Sequence, residues 1–287
     1  MKKIAFVTIT WNSQAYIEEC LSSVYYAMAP FDAHVWVIDK GSKDQTVEII
    51  QNIKKDKFKN RLHFIRNNKN LGTTVSRNLA LREIQKAKDV DYVCIIDSDT
   101  KINTEAVQLL MQTLDAHDDA LTASPRMHND QNVMQITAKR FPTLKIKFLK
   151  AVPNRRLNEI GQHNECYDFD CDHCKNKGKL TEISAKDDGK RVYEVDFTIS
   201  ACWLVKQEAL DIVGLLDERI FYSPEDVDYC ARVHEAGYKN LLVYDALIKH
   251  HTQRLSKKKF FSMMNLHHLK GLIYFCFKHY GKLKQRD

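Results

Sequence analysis

Glycine is scarce in this chain of 287 residues: there are nine, and no two stand close enough to build a glycine-rich phosphate loop. A dinucleotide fingerprint and a P-loop are thereby excluded, since both need glycines at fixed short spacings for backbone amides to approach phosphates. Long apolar runs are missing too. No stretch reaches the roughly eighteen apolar residues of a membrane-crossing helix. Lys2 and Lys3 lead into a short strand-like run, not into the apolar core of an export signal. A cytoplasmic chain is expected. There is no internal repeat and no low-complexity tract.

The composition present is that of a soluble globular protein, 44% apolar and 28% charged. Eight cysteines would suggest a disulfide scaffold in a small secreted protein, but the length and the missing export signal speak against one. Cys20, Cys94, Cys202, Cys230 and Cys276 sit in apolar surroundings and read as buried thiols. The net charge of +7 is unevenly spread: Arg254 to Arg286 contains Lys257, Lys258, Lys259, Lys270, Lys278, Lys282 and Lys284, with no acid before Asp287. That pattern points to a basic C-terminal surface and not to a nucleic-acid-binding protein.

The first half alternates between short apolar runs and helical periodicity. Strands are expected at Ile4–Thr10, His34–Ile38, Leu62–Ile65 and Tyr92–Ile96, with helices from about Gln14, Lys43, Thr73 and Thr104. Such alternation implies an α/β fold with a doubly wound, mainly parallel sheet. Ser13 is a candidate N-cap, Ser42 with Gln45 a candidate capping box, and Asp99 or Asn103 a candidate cap for the fourth helix. From about 125 to 192 the periodicity fades into polar, turn-rich sequence. Order returns at Tyr193–Val205, Gln207–Val213, after Asp226 and at Leu241–Tyr244, and the tail reads as aromatic, basic helices. The expected divisions are 1–124, an irregular insertion over 125–192, then 193–253, and C-terminal helices over 254–287.

The fourth strand ends in Asp97-Ser98-Asp99. Open α/β sheets bind ligands at the carboxyl ends of their strands, and paired hard oxygens there suit a Mg²⁺ or Mn²⁺ that also grips a diphosphate. A polar turn with a helix cap is the other reading. Asp39 also ends an apolar run; it either accepts the N3–H of a pyrimidine base or closes the Asp-Lys-Gly-Ser turn. Arg77, one turn into a helix, either reaches base or phosphate oxygens or is a solvated helix arginine. Glu225, Asp226 and Asp228 open a helix, where carboxylates serve as dipole partners or as acid–base groups.

In order along the chain, Thr8 to Asn12, Val37 to Thr46, Asn70 to Gly72 with Ser76 to Asn78, Asp97 to Asp99, Gly214 to Glu218, Glu225 to Arg232 and Gly237-Tyr238 resemble the motifs of the inverting family 2 of nucleotide-sugar glycosyltransferases, notably its rhamnosyltransferase-like bacterial members. The resemblance covers about residues 4–115 and 193–281 and implies the GT-A fold. It implies that 1–124 binds the donor, a UDP- or dTDP-type nucleotide sugar, through Thr10, Asn12, Asp39, Asn70, Gly72, Arg77, Asp97 and Ser98. Mn²⁺ or Mg²⁺ would be held by Asp97 and Asp99, with His250 or His251 completing the shell or touching the diphosphate. Residues 193–253 would hold the acceptor, a glycan or lipid-linked glycan, with Asp226 as general base and Glu225 holding the acceptor or the base. Other readings are a catalytically silent GT-A scaffold or binding subunit and a sugar nucleotidyltransferase, whose glycine-rich N-terminal loop is missing.

Outside that family pattern, His163, Cys166, Cys171 and Cys174 have the spacing of a tetrahedral structural zinc site, with free thiols or an oxidised pair as the competing readings. At the C terminus, Phe260, Phe261, Met263, Met264, Leu266, Leu269, Leu272, Ile273, Phe275 and Phe277 among the lysines read either as a peripheral contact with the inner face of a membrane or as helices packed on the domain.

Overall fold

The structure is a computed structural model and describes residues 1–142, 167, 181–182, 191–251 and 263–283. The cluster His163, Cys166, Cys171 and Cys174 lies outside the described residues, as do Lys257, Lys258, Lys259, Phe260 and Phe261.

The expected alternation is present as β1 (Lys3–Thr10), α1 (Ile17–Ala27), β2 (Asp32–Asp39), α2 (Thr46–Ile53), β3 (Leu62–Arg66), α3 (Thr73–Ala87), β4 (Tyr92–Asp97), β5 (Thr100–Lys101) and α4 (Thr104–Ala116). The rest comprises β6 (Ala120–His128), β7 (Ala138–Lys139), β8 (Thr181–Glu182), β9 (Val192–Val195), β10 (Phe197–Thr198), β11 (Cys202–Lys206), α5 (Ala209–Ile212), α6 (Glu225–Glu235), β12 (Lys239–His250) and α7 (Met263–Lys278). One sheet runs β3-β2-β1-β4-β11-β6-β12-β9-β8 with β5 on β12, and β7 pairs with β10 apart from it. β3, β2, β1 and β4 are mutually parallel, as are β6 and β12, so most of the paired length is parallel. β11 enters antiparallel between β4 and β6.

β1 shows why these runs are strands. It is buried from Ile4 to Thr10, and its successive side chains point to opposite faces. Ile4 and Phe6 join Leu21, Val35, Cys94 and Leu110 on one face, while Ala5 and Val7 join Leu81, Val93, Trp203 and Phe275 on the other. This is the α/β GT-A architecture, with helices on both faces and α7 closing one of them.

Caps follow the sequence in one case of three. Asn103 caps α4 by accepting from Ala106 N–H at 2.8 Å. Ser42 and Gln45 form no capping box, because the Ser42 hydroxyl donates to Asp39 at 2.5 Å and α2 begins at Thr46. Ser13 does not cap α1, which begins at Ile17 after an uncapped Tyr16. Its hydroxyl instead faces Ser98 Oγ at 3.1 Å.

The element that differs most is β12. Strand was expected only over Leu241–Tyr244, yet it continues to His250 past a register shift between Val243 and Leu247. The polar Asp245 and Lys249 mask it as a strand. Antiparallel pairing of Lys249 with Lys101 and of His250 with Thr100 carries its end to the Asp97-Ser98-Asp99 turn.

Candidate functional site

Asp97 closes β4, and its N–H donates to Ala201 O at 3.0 Å. Asp97, Asp99 and His250 each bring a ligand atom to within 4.8 Å of the others. His250 Nε2 lies 3.4 Å from Asp99 Oδ1, and its Nδ1 lies 2.8 Å from Gln135 Oε1. Gln135 Nε2 in turn donates to His250 O at 2.8 Å, so the imidazole is fixed from behind. Burial pulls the His250 imidazole down, but the hydrogen bond to Asp99 and the charges of Asp99 and Asp97 outweigh it and hold the group above its ordinary value. Two carboxylates and one braced imidazole form a donor set that could hold a divalent metal ion. The neighbouring His251 points elsewhere, with Nδ1 2.7 Å from Asp130 and Nε2 3.0 Å from Glu19.

The other expected donor-side residues line the adjacent strand ends. Asp39 is fully buried and accepts from Gly41 N–H at 3.1 Å and from Ser42 N–H at 3.0 Å. Among the described residues its carboxylate closes the turn that follows β2. Thr10 pairs with Asp39 across β1 and β2, and its hydroxyl is buried without a partner among the described residues. Asn12, at φ 51°, donates its N–H to Ser42 Oγ at 2.8 Å and accepts from Lys43 N–H at 2.9 Å. Asn70 is exposed and accepts from Gly72 N–H at 2.9 Å. Gly72 has φ 85°, and a Cβ there would overlap Phe221 O and meet the Phe221 ring at 2.8 Å. Glycine is required because Phe221 O must reach Thr73 N–H, 2.7 Å away.

Arg77 is only 1% exposed, so it is not a solvated helix arginine. Its Nη2 donates to Asp97 Oδ1 at 2.6 Å and to Ser200 O at 3.3 Å. Its Nη1 donates to Ser200 Oγ at 3.0 Å and to Glu225 Oε1 at 3.2 Å. A single guanidinium thus joins the acidic turn after β4 to the acidic start of α6. Burial, with the neighbouring Asp226 charge, raises the Glu225 carboxyl well above the usual carboxylate range, against the pull of Arg77. Burial raises Asp226 as well. Asp226 accepts from Val227 N–H at 2.9 Å. Asp228 points the other way, fully buried among Arg232 at 3.0 Å, Lys278 at 2.6 Å and His279 at 3.0 Å. That carboxylate ties α6 to α7.

Sequence reading did not assign Lys40, Gln135 or Ser200. Lys40 is half-buried beside Asp97, Arg77, Glu225 and Asp39, and burial lowers its amine to about 8. A lysine directly after a strand-ending acid was the available signal. Gln135 and Ser200 carried none, since each acts through partners distant in sequence.

The family model described as "Glycosyl transferase family 2" matches residues 5–211. The poly-beta-1,6-N-acetyl-D-glucosamine synthase of Staphylococcus aureus strain COL is 27% identical over 137 residues, 47% of this chain and 31% of that protein. S. aureus TarS 1-349, solved in complex with UDP-GlcNAc, superposes with a TM-score of 0.55 at 19% identity, over 88% of this chain and 59% of that one. A mannosyltransferase, PcManGT from Pyrobaculum calidifontis in complex with GDP-Man and Mn²⁺, superposes with a TM-score of 0.58 at 16% identity, over 88% and 58%. At those identities the structural likeness carries the fold. The chain spans less than two thirds of each of these proteins.

Proposed function

Because the chain belongs to glycosyl transferase family 2, we propose that it is a metal-dependent, inverting enzyme that moves a sugar from a nucleotide diphosphate to a hydroxyl of a glycan or lipid-linked glycan. The observation that carries this reading is Arg77, whose fork holds Asp97 and Glu225 together. Two acidic clusters from distant parts of the chain are thereby joined through one guanidinium. The proposed donor is of UDP or dTDP type, in keeping with TarS, which was solved with UDP-GlcNAc.

In this reading Asp97, Asp99 and His250 would hold Mn²⁺ or Mg²⁺, which offsets the charge of the departing diphosphate. Thr10, Asn12, Asp39, Asn70, Gly72 and Ser98 would line the nucleotide side within 1–124. Asp226 would take the proton of the acceptor hydroxyl as it attacks the anomeric carbon from the face opposite the leaving group. Glu225, hydrogen-bonded by Arg77 and by Ser200 Oγ at 3.0 Å, would position that base. Lys40 adds positive charge beside the same residues. A lipid-linked acceptor places the work at the inner face of a membrane.

A thermal-shift screen of nucleotide sugars with and without Mn²⁺, followed by a transfer assay with the stabilising donor, tests the reading. Stabilisation by UDP- or dTDP-sugars only with Mn²⁺, together with transfer, supports it. Binding of none of them would refute it, and donor binding without turnover would favour the silent scaffold.

A further inference from the structure

α7 has two faces. On its inner side Gly271, Phe275 and His279 are buried, and a Cβ on Gly271 would overlap Ser223 O and meet Pro224 at 3.0 Å. His267 stacks on Phe221 with ring centroids 4.4 Å apart, and His268 Nδ1 lies 3.1 Å from Ser223 Oγ. Lys278 pairs with Asp217 at 2.7 Å and Asp228 at 2.6 Å. This inner side therefore braces Phe221–Pro224, the segment that delivers Glu225 and Asp226 to the site.

The outer side is apolar and, among the described residues, exposed. Leu266, Leu269 and Ile273 are about half exposed, and Phe277 and Tyr280 are 80% and 84% exposed. At 3.6 residues per turn Leu266, Leu269, Ile273 and Phe277 fall in one stripe that with Lys270 is about 100° wide, and Tyr280 follows the helix end. Lys282 follows, also exposed, and no acidic residue occurs from Met263 to Arg286. Phe221 and Tyr222, at the inner side's edge, are themselves 36% and 37% exposed.

We propose that the outer face of α7 docks on an anionic lipid bilayer, setting the Phe221–Pro224 side of the site at the membrane surface. An apolar stripe with lysines and no acids is the pattern of a helix lying in the headgroup region. A second copy of the chain is a poorer occupant. A two-fold contact through this stripe would bring like charges together with no acid on the helix to pair them. The docking rests on α7 alone; only its use, meeting a lipid-linked acceptor, rests on the proposed transfer.

The test is sedimentation of the full chain with vesicles of phosphatidylglycerol and phosphatidylcholine or of phosphatidylcholine alone, beside the variant Ile273→Glu/Phe277→Glu. Wild type should pellet with anionic vesicles at least tenfold better than with neutral ones. The variant should lose at least tenfold while keeping its melting temperature and UDP·Mn²⁺ binding. Should that variant fail to fold, Lys270→Glu/Lys282→Glu carries the test and should also pellet less. Equal pelleting by wild type and a folded variant overturns the proposal. So does wild type that ignores vesicles yet forms a dimer that the variant abolishes. Vesicle binding without UDP·Mn²⁺ binding would leave docking intact and remove the donor reading.

Discussion

Replacing Arg77 with methionine keeps the aliphatic stem and removes the fork. Asp97, Glu225 and Ser200 then lose their shared donor in a site where Arg77 is 1% and Glu225 7% exposed. Breaking a buried ion pair from one side costs about 3–5 kcal/mol, because the remaining charge is left without compensation. The Asp97 limb contributes at the low end, since its side chain is 34% exposed and partly solvated. The Glu225 limb depends on pH. Its carboxyl is raised by burial and restrained by Arg77, so without the guanidinium it rises further and stays protonated over a wider range. A neutral Glu225 needs no counter-charge. Methionine should therefore cost little from that limb near pH 6 and more near pH 9, reaching the full amount only above the variant's own raised value.

The same sign governs the Glu225 contribution in wild type, while Lys40, its amine lowered by burial, contributes a slope of the opposite sign. A carboxyl whose folded value lies above its unfolded one holds a proton in the folded chain over the interval between them, so stability falls as pH rises through that interval. Melting curves at pH 6 and pH 9 read both effects. Arg77→Met should lower the melting temperature by up to roughly 20 °C at pH 9, and by clearly less at pH 6. Glu225→Gln, which keeps an acceptor for Arg77, should flatten the wild-type fall with pH. An equal loss at both pH values in Arg77→Met, or a wild-type slope unchanged in Glu225→Gln, would refute the reasoning.

Other predictions concern single parts of the site. Asp99→Ala and His250→Ala should each abolish the extra stabilisation that Mn²⁺ gives with UDP while leaving the melting temperature of the protein alone within a few degrees; unchanged Mn²⁺ response removes these residues from the metal site. Asp226→Asn should cut turnover roughly a hundredfold or more with donor affinity nearly unchanged, whereas normal turnover with collapsed donor binding would reverse its assignment. Metal analysis of protein purified without chelator should find about one zinc per chain, lost in Cys171→Ser, and a reduced protein without zinc ends the proposal for His163, Cys166, Cys171 and Cys174.

The parallel strands of the first half were legible because each is an apolar run that stops at a polar turn, as Val37-Ile38 stops at Asp39 and Ile95-Ile96 at Asp97. The pairing of acids with the strand ends was legible for the same reason. What local pattern did not carry was contact at a distance. Arg77 looks like any helix arginine, yet its partners lie 20 and 148 residues away. His250 ends a strand whose polar half has no alternation to announce it, and long-range pairing with Thr100 and the His251 N–H bond to Asp99 O bring it to Asp99. α7 is apolar on both sides, so periodicity gave no direction. The structure turns Phe275 inward and leaves Phe277 outside.

The two carboxylates that open α6 are chemically alike, and their surroundings separate them. Glu225 Oε1 receives Arg77 at 3.2 Å and Ser200 Oγ at 3.0 Å, so ionising it strengthens bonds that hold the site together. Burial keeps its carboxyl protonated near neutral pH, so it is poorly placed to take a proton from a hydroxyl. Asp226 has a lighter load: it accepts from the backbone of its own helix, and its side chain is half-buried, open to a hydroxyl arriving from outside. Burial raises it, which gives it more basicity than an exposed aspartate, and the Val227 N–H works against that rise without removing it. Adjacent acids whose environments assign them different tasks are a recurrent way to obtain a base and its support from one residue type. In the proposed transfer Glu225 would therefore position the base and Asp226 would accept the proton.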